Sequence, residues 1–261
     1  MIHIEELYKS YGDTHALAGV NLEVGAGEVV GLVGPSGAGK STLLRALNRF
    51  VVPSSGRVEV DGRDVASLRG QALRDHRTSV GMVYQRFHLV GRLSALDNAT
   101  SGAVSRTNSV RTLLGLLPAI ERRRAFEALD RVGMAARWDQ RADTLSGGQQ
   151  QRVAIARTLV QDPTVVLADE PVASLDPGAS ERVLGLLASL AKEDGRTVVV
   201  SLHQVEYARR FCDRIVALDG GVVTIDAAPH EIPDGDWERL YQTVASDPEN
   251  EAELAGTALV R

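Results

Sequence analysis

The chain has 261 residues, of which 44% are hydrophobic and 24% are charged, a composition typical of a globular protein with a substantial core. Its formal net charge of −5 disfavours a nucleic-acid-binding protein, because such proteins usually carry a basic surface. No stretch approaches the roughly 18 consecutive apolar residues of a membrane-spanning helix, and the N-terminal sequence is not typical of a signal peptide, so we expect any membrane role to be peripheral, through a partner.

The first half of the chain predicts strands, one helix and then a helical insertion. The helix is predicted over residues 40–48, and the strands over residues 2–7, 16–24, 28–34, 56–62 and 79–85. From residue 86 to 141, Leu, Ala and Arg dominate, and residues 110–134 predict two helices broken at Pro118. We expect a helical subdomain here, in which the stretch ERRRAFEAL is solvated and turns Phe126 and Leu129 inward.

The second half of the chain returns to alternating strands and helices. The predicted elements are a strand over 164–170, a helix over 178–193, a strand over 196–202 and a hairpin over 213–226. Apolar β-branched strands that alternate with helices indicate a parallel sheet covered on both faces, and therefore an α/β fold. The single cysteine, Cys212, excludes an intrachain disulfide and is expected to be a packing residue in a reducing compartment. We expect the acidic residues 246–261 to form a poorly ordered tail.

The stretch GPSGAGKS at Gly34–Ser41 has the spacing of a phosphate-binding loop, with a predicted strand before it and a helix after it. Gly37 and Gly39 allow backbone N–H groups to wrap around a phosphate. Lys40 adds a positive charge at the β- and γ-phosphates, and the Ser41 hydroxyl can ligate Mg²⁺. The flanking strand and helix disfavour the alternative, a chance glycine-rich turn.

Hydrolysis of a bound nucleotide needs acidic groups, and the predicted strand over 164–170 ends in Asp169 and Glu170. Ligands of open α/β sheets bind at the carboxyl ends of the strands, so this pair would lie where the phosphates bind. We expect Asp169 to hold Mg²⁺ through water and Glu170 to polarise the attacking water. Without the phosphate loop, the same pair would be interpreted as an acidic turn.

The stretch LSGGQ at Leu145–Gln149 resembles the signature of the ATP-binding-cassette (ABC) ATPases, and the other motifs follow the order found in that family. The resemblance covers about residues 1–230. It implies an α/β fold with a P-loop NTPase core, an N-terminal antiparallel β subdomain and an inserted α-helical subdomain. We therefore expect one ABC ATPase domain over residues 1–245, with the core and β subdomain over about 1–85 and 160–230 and the helical subdomain over about 86–159.

The resemblance also implies roles for individual residues. Tyr11 resembles the aromatic residue that stacks on adenine, Gln85 the residue that contacts Mg²⁺ and the attacking water, and His203 the residue that hydrogen-bonds the γ-phosphate. The implied catalytic residues are Glu170, His203 and Gln85, and the implied Mg²⁺ ligands are Ser41, Gln85 and Asp169. The implied ATP-binding residues of the loop are Gly34, Pro35, Ser36, Gly37, Ala38, Gly39, Lys40, Ser41 and Thr42.

In this family two chains pack head to tail, and each ATP lies between the phosphate loop of one chain and the signature of the other. The residues that this arrangement implies in trans are Ser146, Gly147, Gly148, Gln149 and Asp176. The implied cofactors are ATP and Mg²⁺. The implied partners are a second copy of the chain, transmembrane permease subunits and, indirectly, a substrate-binding protein, with no nucleic acid.

Stretches outside the nucleotide motifs resemble the phosphonate-import ATPases. They are QRFHLVGRLSALDN at 85–98, LLGLLP at 113–118 and SLHQV at 201–205, with departures from the pattern at Tyr84 and Arg86. This resemblance implies an ATPase subunit that lies at the cytoplasmic face of the cell membrane and energises uptake of phosphonate or a related phosphorus oxyanion. The alternatives are an ABC ATPase of an importer or exporter for another cargo, and a soluble ABC ATPase without a permease.

Overall fold

A computed structural model of the protein describes residues 1–106 and 118–245. The first of the two helices predicted in 110–134, which precedes Pro118, and the acidic residues 246–261 both fall entirely outside the described residues. In the part of the chain that the structure describes, no helix is both long enough and apolar enough to cross a membrane.

The described residues form ten strands and eight α-helices. The strands are β1 (Ile2–Tyr11), β2 (Thr14–Val24), β3 (Val29–Val33), β4 (Ser55–Val60), β5 (Arg63–Asp64), β6 (Val80–Val83), β7 (Val165–Ala168), β8 (Thr197–Ser201), β9 (Arg214–Asp219) and β10 (Val222–Ala227). The helices are α1 (Lys40–Leu47), α2 (Gly70–Ser79), α3 (Ala95–Thr100), α4 (Ala119–Arg131), α5 (Gly147–Gln161), α6 (Pro177–Asp194), α7 (Val205–Phe211) and α8 (Asp234–Ala245). The sequence does not predict α2, α3, α7 or α8. The first three have ten, six and seven residues, too few to give a clear helical apolar period.

A small antiparallel sheet contains the N-terminal strands in the order β2-β1-β4-β5. β1 pairs with β2 from Ile2 opposite Val24 to Tyr11 opposite Thr14, so the hairpin turn begins at Tyr11. The first residues of β1 alternate between buried and solvated positions, as expected for a sheet with one face on a core. This sheet confirms the predicted N-terminal antiparallel part of the fold.

A second sheet has the strand order β10-β9-β3-β8-β7-β6, and β10 runs antiparallel to β9. The other neighbouring strands are parallel. Because the parallel strands point the same way, the segments after β3, β6, β7 and β8 all leave from one edge of the sheet. This edge is where ligands bind in open α/β sheets, and the segments that leave it carry the predicted site residues.

The parallel strands bury both of their faces, which explains their continuous apolar sequences. Val30, Leu32 and Val199 belong to a core shared with α1 and the antiparallel sheet. Val29 and Val200 belong to the opposite core, which is shared with α4, α5, α6, α7 and α8. The strands are therefore covered on both faces, and the α/β fold class predicted from the sequence is confirmed.

The inserted helices follow the predicted pattern with one exception. Pro118 is the N-cap of α4, so the second predicted helix begins directly after it, as expected. Leu129 is fully buried as expected, but the prediction that Phe126 turns inward is wrong, since that side chain is 41% exposed. Ala125 and Leu129, four residues apart, form the buried side of the helix instead.

Cys212 is a buried packing residue, as the sequence predicts. Its sulfur occupies space left by Gly31, where an added Cβ would lie 2.8 Å from Sγ. Burial raises the pKa of the Cys212 thiol to about 12, so the reactive thiolate is scarce at neutral pH.

Candidate active site

The phosphate loop joins β3 to α1 and has a backbone that requires glycine. Gly34, Gly37 and Gly39 have positive φ angles of 142°, 80° and 104°. An added Cβ would lie 2.1 Å from the Leu218 carbonyl oxygen at Gly34, and 2.4 Å from the Ala16 carbonyl oxygen at Gly39. The loop is therefore packed between β9 and β2, and it opens onto the N-terminus of α1, where backbone N–H groups favour an anion.

Lys40, the first residue of α1, is held inside the curve of this loop. Its side-chain Nζ donates to the carbonyl oxygens of Gly34 and Pro35, at 2.6 and 3.0 Å. The residue is only 4% exposed, and an ammonium this buried needs compensating negative groups. A bound phosphate would supply that negative charge.

Asp169 lies directly opposite Ser41 across the sheet edge. Ser41 Oγ donates to Asp169 Oδ1 at 2.7 Å, and Arg45 Nη2 lies 3.5 Å from Asp169 Oδ2. A hydroxyl beside a buried carboxylate fits Mg²⁺, which takes few protein oxygens and completes its shell with water and substrate phosphates. The described residues contain no cluster of three or more His, Cys, Asp or Glu side chains that could hold a metal alone.

Glu170 and His203 form a second contact at the same edge. His203 Nε2 lies 2.5 Å from Glu170 Oε1, and the two side chains are 15% and 17% exposed, respectively. Glu170 has a φ of +48°, a conformation that costs a non-glycine residue about 1–3 kcal/mol. A partly desolvated carboxylate with a fixed partner is suited to orienting and polarising water.

The other two predicted residues of the site, Gln85 and Tyr11, have exposed side chains. Gln85 follows β6, the strand next to β7, and its side chain is exposed. Tyr11 is 51% exposed, and Lys9 Nζ lies 4.8 Å from the centroid of its ring. The hairpin that begins at Tyr11 contacts the phosphate loop through Ala16. Direct contacts thus join Ser41 to Asp169 and Glu170 to His203, while Gln85 and Tyr11 are related to the site only through their elements.

The signature turn caps the start of α5. Ser146 Oγ accepts from the Gln149 N–H at 3.4 Å, and Gln149 Oε1 accepts from the Ser146 N–H at 3.0 Å, which forms a capping box. Helix geometry leaves the N–H groups of Gly147 and Gly148 directed outward from the first turn. With the exposed Ser146 beside them, they form an anion-binding surface.

This turn packs against the start of α6. An added Cβ on Gly148 would lie 2.9 Å from the Ala179 side chain, and one on Gly147 would lie 3.5 Å from Leu175 Cδ2. Asp176 is the N-cap of α6, and its Oδ1 accepts from the Ala179 N–H at 2.9 Å. The residues predicted to act in trans are therefore the caps of two helices in contact.

A groove of about 1490 Å³ is lined by α1, α2, β6, the segment after β6 and α5. Among the described residues that line it are four basic side chains, Arg45, Arg74, Arg77 and Arg157, and one acidic side chain, Asp75. The groove is therefore cationic, although the whole chain has a net negative charge.

Arg157 connects the signature helix α5 to the segment that follows Gln85. Its guanidinium donates to the backbone carbonyl oxygens of His88 and Phe87, at 2.6 and 3.3 Å. Burial lowers the pKa of Arg157, and the two carbonyl oxygens partly compensate for that burial. These hydrogen bonds tie the segment after Gln85 to the helix that begins at the signature.

The sequence prediction does not include three residues that the structure places in or next to the site: Arg45, Arg157 and Ser201. Arg45 is four residues after Ser41 in α1, so helical spacing could have placed both on one face. Ser201 ends the apolar strand β8, and only the order of the strands reveals that it adjoins Asp169.

Comparison with known proteins gives sequence similarity over nearly the whole chain. Residues 17–173 match the family described as ABC transporter. The chain is 44% identical to a phosphonates import ATP-binding protein of Halalkalibacterium halodurans, over 93% of this chain and 100% of that protein. It is 48% identical to a phosphite import ATP-binding protein of Stutzerimonas stutzeri, over 92% of this chain and 87% of that protein.

Two solved structures share the fold. One is a dimeric ATP-binding cassette in a post-hydrolysis state, bound to ADP and Pi, with 35% identity and a TM-score of 0.78 over 89% of this chain and 100% of that one. The other is a Clostridium perfringens protein that is part of an ABC transporter complex, with 34% identity and a TM-score of 0.80 over 92% of this chain and 94% of that one.

Proposed function

Because the chain belongs to the ABC transporter family of ATP-binding proteins, we propose that it is the ATP-hydrolysing subunit of an importer for phosphonate or a related phosphorus oxyanion. The observation that carries the ATPase part is the pair of contacts, Ser41 with Asp169 and Glu170 with His203, at one sheet edge. The relatives that are named phosphonates and phosphite import ATP-binding proteins support the choice of cargo.

The phosphate loop binds and orients the nucleotide. Its N–H groups and the Lys40 ammonium surround the β- and γ-phosphates, and the exposed ring of Tyr11 offers a face for adenine. Ser41 and Asp169, with Gln85, would hold Mg²⁺ beside these phosphates. The metal ion would supply positive charge that offsets the negative charge developing on the phosphate oxygens.

Glu170 and His203 act on the side of the γ-phosphate. Glu170 orients and polarises the attacking water, and His203, whose Nε2 contacts the Glu170 carboxylate in the nucleotide-free protein, donates a hydrogen bond to the γ-phosphate when ATP is bound. Gln85 joins them from the neighbouring strand β6 and positions the water. Removal of any of these groups lowers the rate of hydrolysis more than it lowers the affinity for ATP.

A second copy of the chain completes each site. Ser146, Gly147, Gly148 and Gln149 of one chain meet the γ-phosphate on the phosphate loop of the other, with Asp176 beside them. The dimeric solved cassette and the outward N–H groups of the first turn of α5 support this arrangement. ATP then favours the closed dimer, and hydrolysis allows it to open.

The arginine-lined groove is the docking site of the permease. It runs along the proposed boundary between the core with its β subdomain, over about 1–85 and 160–230, and the helical subdomain, over about 86–159. Its charge fits a cytoplasmic permease segment that carries acidic side chains. Through Arg157, the segment after Gln85 would move together with the signature helix α5. The subunit would lie at the cytoplasmic face of the cell membrane and receive cargo indirectly from a substrate-binding protein.

Uptake by cells that lack the gene tests the proposal. Wild-type protein should restore uptake of phosphonate or phosphite, whereas Glu170→Gln should not, although it accumulates to the same level. If the wild-type protein restored uptake of none of these three anions, phosphonate, phosphite and phosphate, the cargo would be a different one. Protein that hydrolyses ATP but never sediments with membranes, whether or not the permease is present, would instead be a soluble ABC ATPase.

A further inference from the structure

We infer that Ser201 is a positioning residue for ATP hydrolysis, because its single hydroxyl holds both acidic residues at the end of β7. This inference rests on the proposed ATPase function. Ser201 Oγ accepts from the Glu170 backbone N–H at 2.9 Å and lies 3.2 Å from Asp169 Oδ1. The side chain is completely buried, so no water competes for either hydrogen bond.

The direction of these hydrogen bonds follows from the donors present. The Glu170 N–H can only donate, so the Ser201 oxygen accepts there and its own proton is left for another acceptor. Two acceptors are in reach, Asp169 Oδ1 at 3.2 Å and the Ala168 carbonyl oxygen at 3.5 Å. The nearer one belongs to a carboxylate, which forms the stronger bond when ionised. The hydroxyl proton therefore points to Asp169.

The strand register explains why this position can reach both residues. β7 and β8 are parallel, with Ala168 opposite Val200, so Ser201 lies beside the point where the chain leaves β7. The three residues before Ser201 in β8 are all valine. A hydroxyl at the end of this apolar strand needs partners, and it finds them in the two acidic residues.

Each of the two hydrogen bonds of Ser201 fixes the position of one acidic residue. The bond to the Glu170 N–H holds the residue in its unusual left-handed conformation, which sets the direction of its side chain toward His203. The bond to Asp169 Oδ1 shares that oxygen with the Ser41 hydroxyl, while Oδ2 faces Arg45. Ser201 thus orients the Asp169 carboxylate, which would face Mg²⁺, and the Glu170 carboxylate, which would face the attacking water.

Steady-state kinetics with a matched control tests this role. Ser201→Ala should lower kcat about 10- to 100-fold, as expected for misplaced catalytic groups, and leave the affinity for ATP without Mg²⁺ unchanged. Ser201→Thr restores the hydroxyl and should recover most of kcat. Thr197→Val is the control, because Thr197 lies at the other end of β8, where its hydroxyl bonds Gly27 N–H and the Gly25 carbonyl oxygen. It should retain the wild-type kcat.

Hydrogen exchange of the nucleotide-free protein provides a readout that does not depend on activity. Ser201→Ala should accelerate exchange at the Glu170 amide, while Thr197→Val should not. Unchanged exchange at that amide, or a loss of kcat that Thr197→Val reproduces, would overturn the inference. A wild-type protein that hydrolyses no ATP would contradict the proposed function, and accelerated exchange in Ser201→Ala would still demonstrate the hydrogen bond.

Discussion

Single buried charges in the site are stabilised by particular polar atoms. Lys40 is 4% exposed and Asp169 is 5% exposed, and charged groups this buried are costly unless they have partners. Lys40 is partnered by two loop carbonyl oxygens, and Asp169 by the hydroxyls of Ser41 and Ser201. The site is thus held in shape by its own residues, in the arrangement that the proposed binding of ATP and Mg²⁺ requires.

The Glu170 carboxylate is the group whose removal should separate binding from hydrolysis. Glu170→Gln keeps the side-chain size but cannot polarise water as a base, so kcat should fall about 10²- to 10⁴-fold. ATP should still bind through the phosphate loop, and the variant should accumulate as a closed dimer in MgATP, measured by light scattering. If the variant stayed monomeric at saturating MgATP, the proposed sandwich would be wrong. Lys40→Ala, which weakens ATP binding itself, is the contrasting control.

The site residues that the sequence predicts are those that lie close to one another along the chain. The phosphate loop and the Asp169-Glu170 pair each lie within one short segment, so the motif alone places them. Ser201 and Arg157 cannot be predicted in this way, because their partners lie 31 to 70 residues away and meet them only through the packing of elements.

At the scale of secondary structure elements, the start of α5 presents the signature. The capping box fixes its first turn, and the N–H groups that remain directed outward are those of Gly147 and Gly148. The turn packs on Leu175 and Ala179 of the neighbouring segment, so its own chain supports it. In the proposed dimer, this surface would meet the γ-phosphate of the ATP that is bound to the other chain.

A bulky charge in the signature turn should abolish hydrolysis without affecting the phosphate loop of the same chain. Ser146→Arg should bind ATP as a monomer with wild-type affinity, because Lys40 and its loop are intact, and should hydrolyse none as a pair. Mixing it with Lys40→Ala provides the decisive measurement. The mixed dimer contains one site with an intact loop and an intact signature, so ATPase activity should return. Two inactive proteins that remain inactive when mixed, despite dimerising, would contradict the trans arrangement.

The sequence predicts the order of strands and helices along the chain better than the faces of single helices. Apolar runs in β3, β7 and β8 are long enough to indicate buried parallel strands. In α4, by contrast, Phe126 is the largest apolar side chain, yet the small Ala125 occupies the buried position, because the neighbouring helices leave little space there. Such choices depend on packing partners that the sequence of one helix does not contain.

At the scale of the whole molecule, charge is unevenly distributed. The chain carries a net charge of −5, yet four arginines line the groove between the core and the inserted helices. Three of them have internal roles, since Arg45 faces Asp169, Arg77 donates to the Asn48 and Arg49 carbonyl oxygens, and Arg157 holds the segment after Gln85. Arg74, which donates to Gln71 of its own helix, extends the positive surface toward the proposed partner.

Reversal of one groove charge should weaken permease binding and spare hydrolysis. Arg74 donates to Gln71 in its own helix and touches no site residue described above, so Arg74→Glu should keep the ATPase activity of the purified protein. In cells with the permease, uptake and the fraction that sediments with membranes should both fall. Arg123→Glu makes the same charge change on the exposed side of α4 and should leave both unchanged. If both variants lowered uptake and membrane sedimentation equally, the cause would be the change in net charge and not the groove.

The contact between Gly148 and Ala179 has a consequence for the timing of the cycle. It places the cap of α5 beside the cap of α6, so in the proposed dimer Ser146 and Asp176 would meet the second chain together. Each closed dimer would hold two ATP molecules, so closure would depend on occupancy of both sites. We expect the rate of hydrolysis to rise sigmoidally, rather than hyperbolically, with ATP concentration.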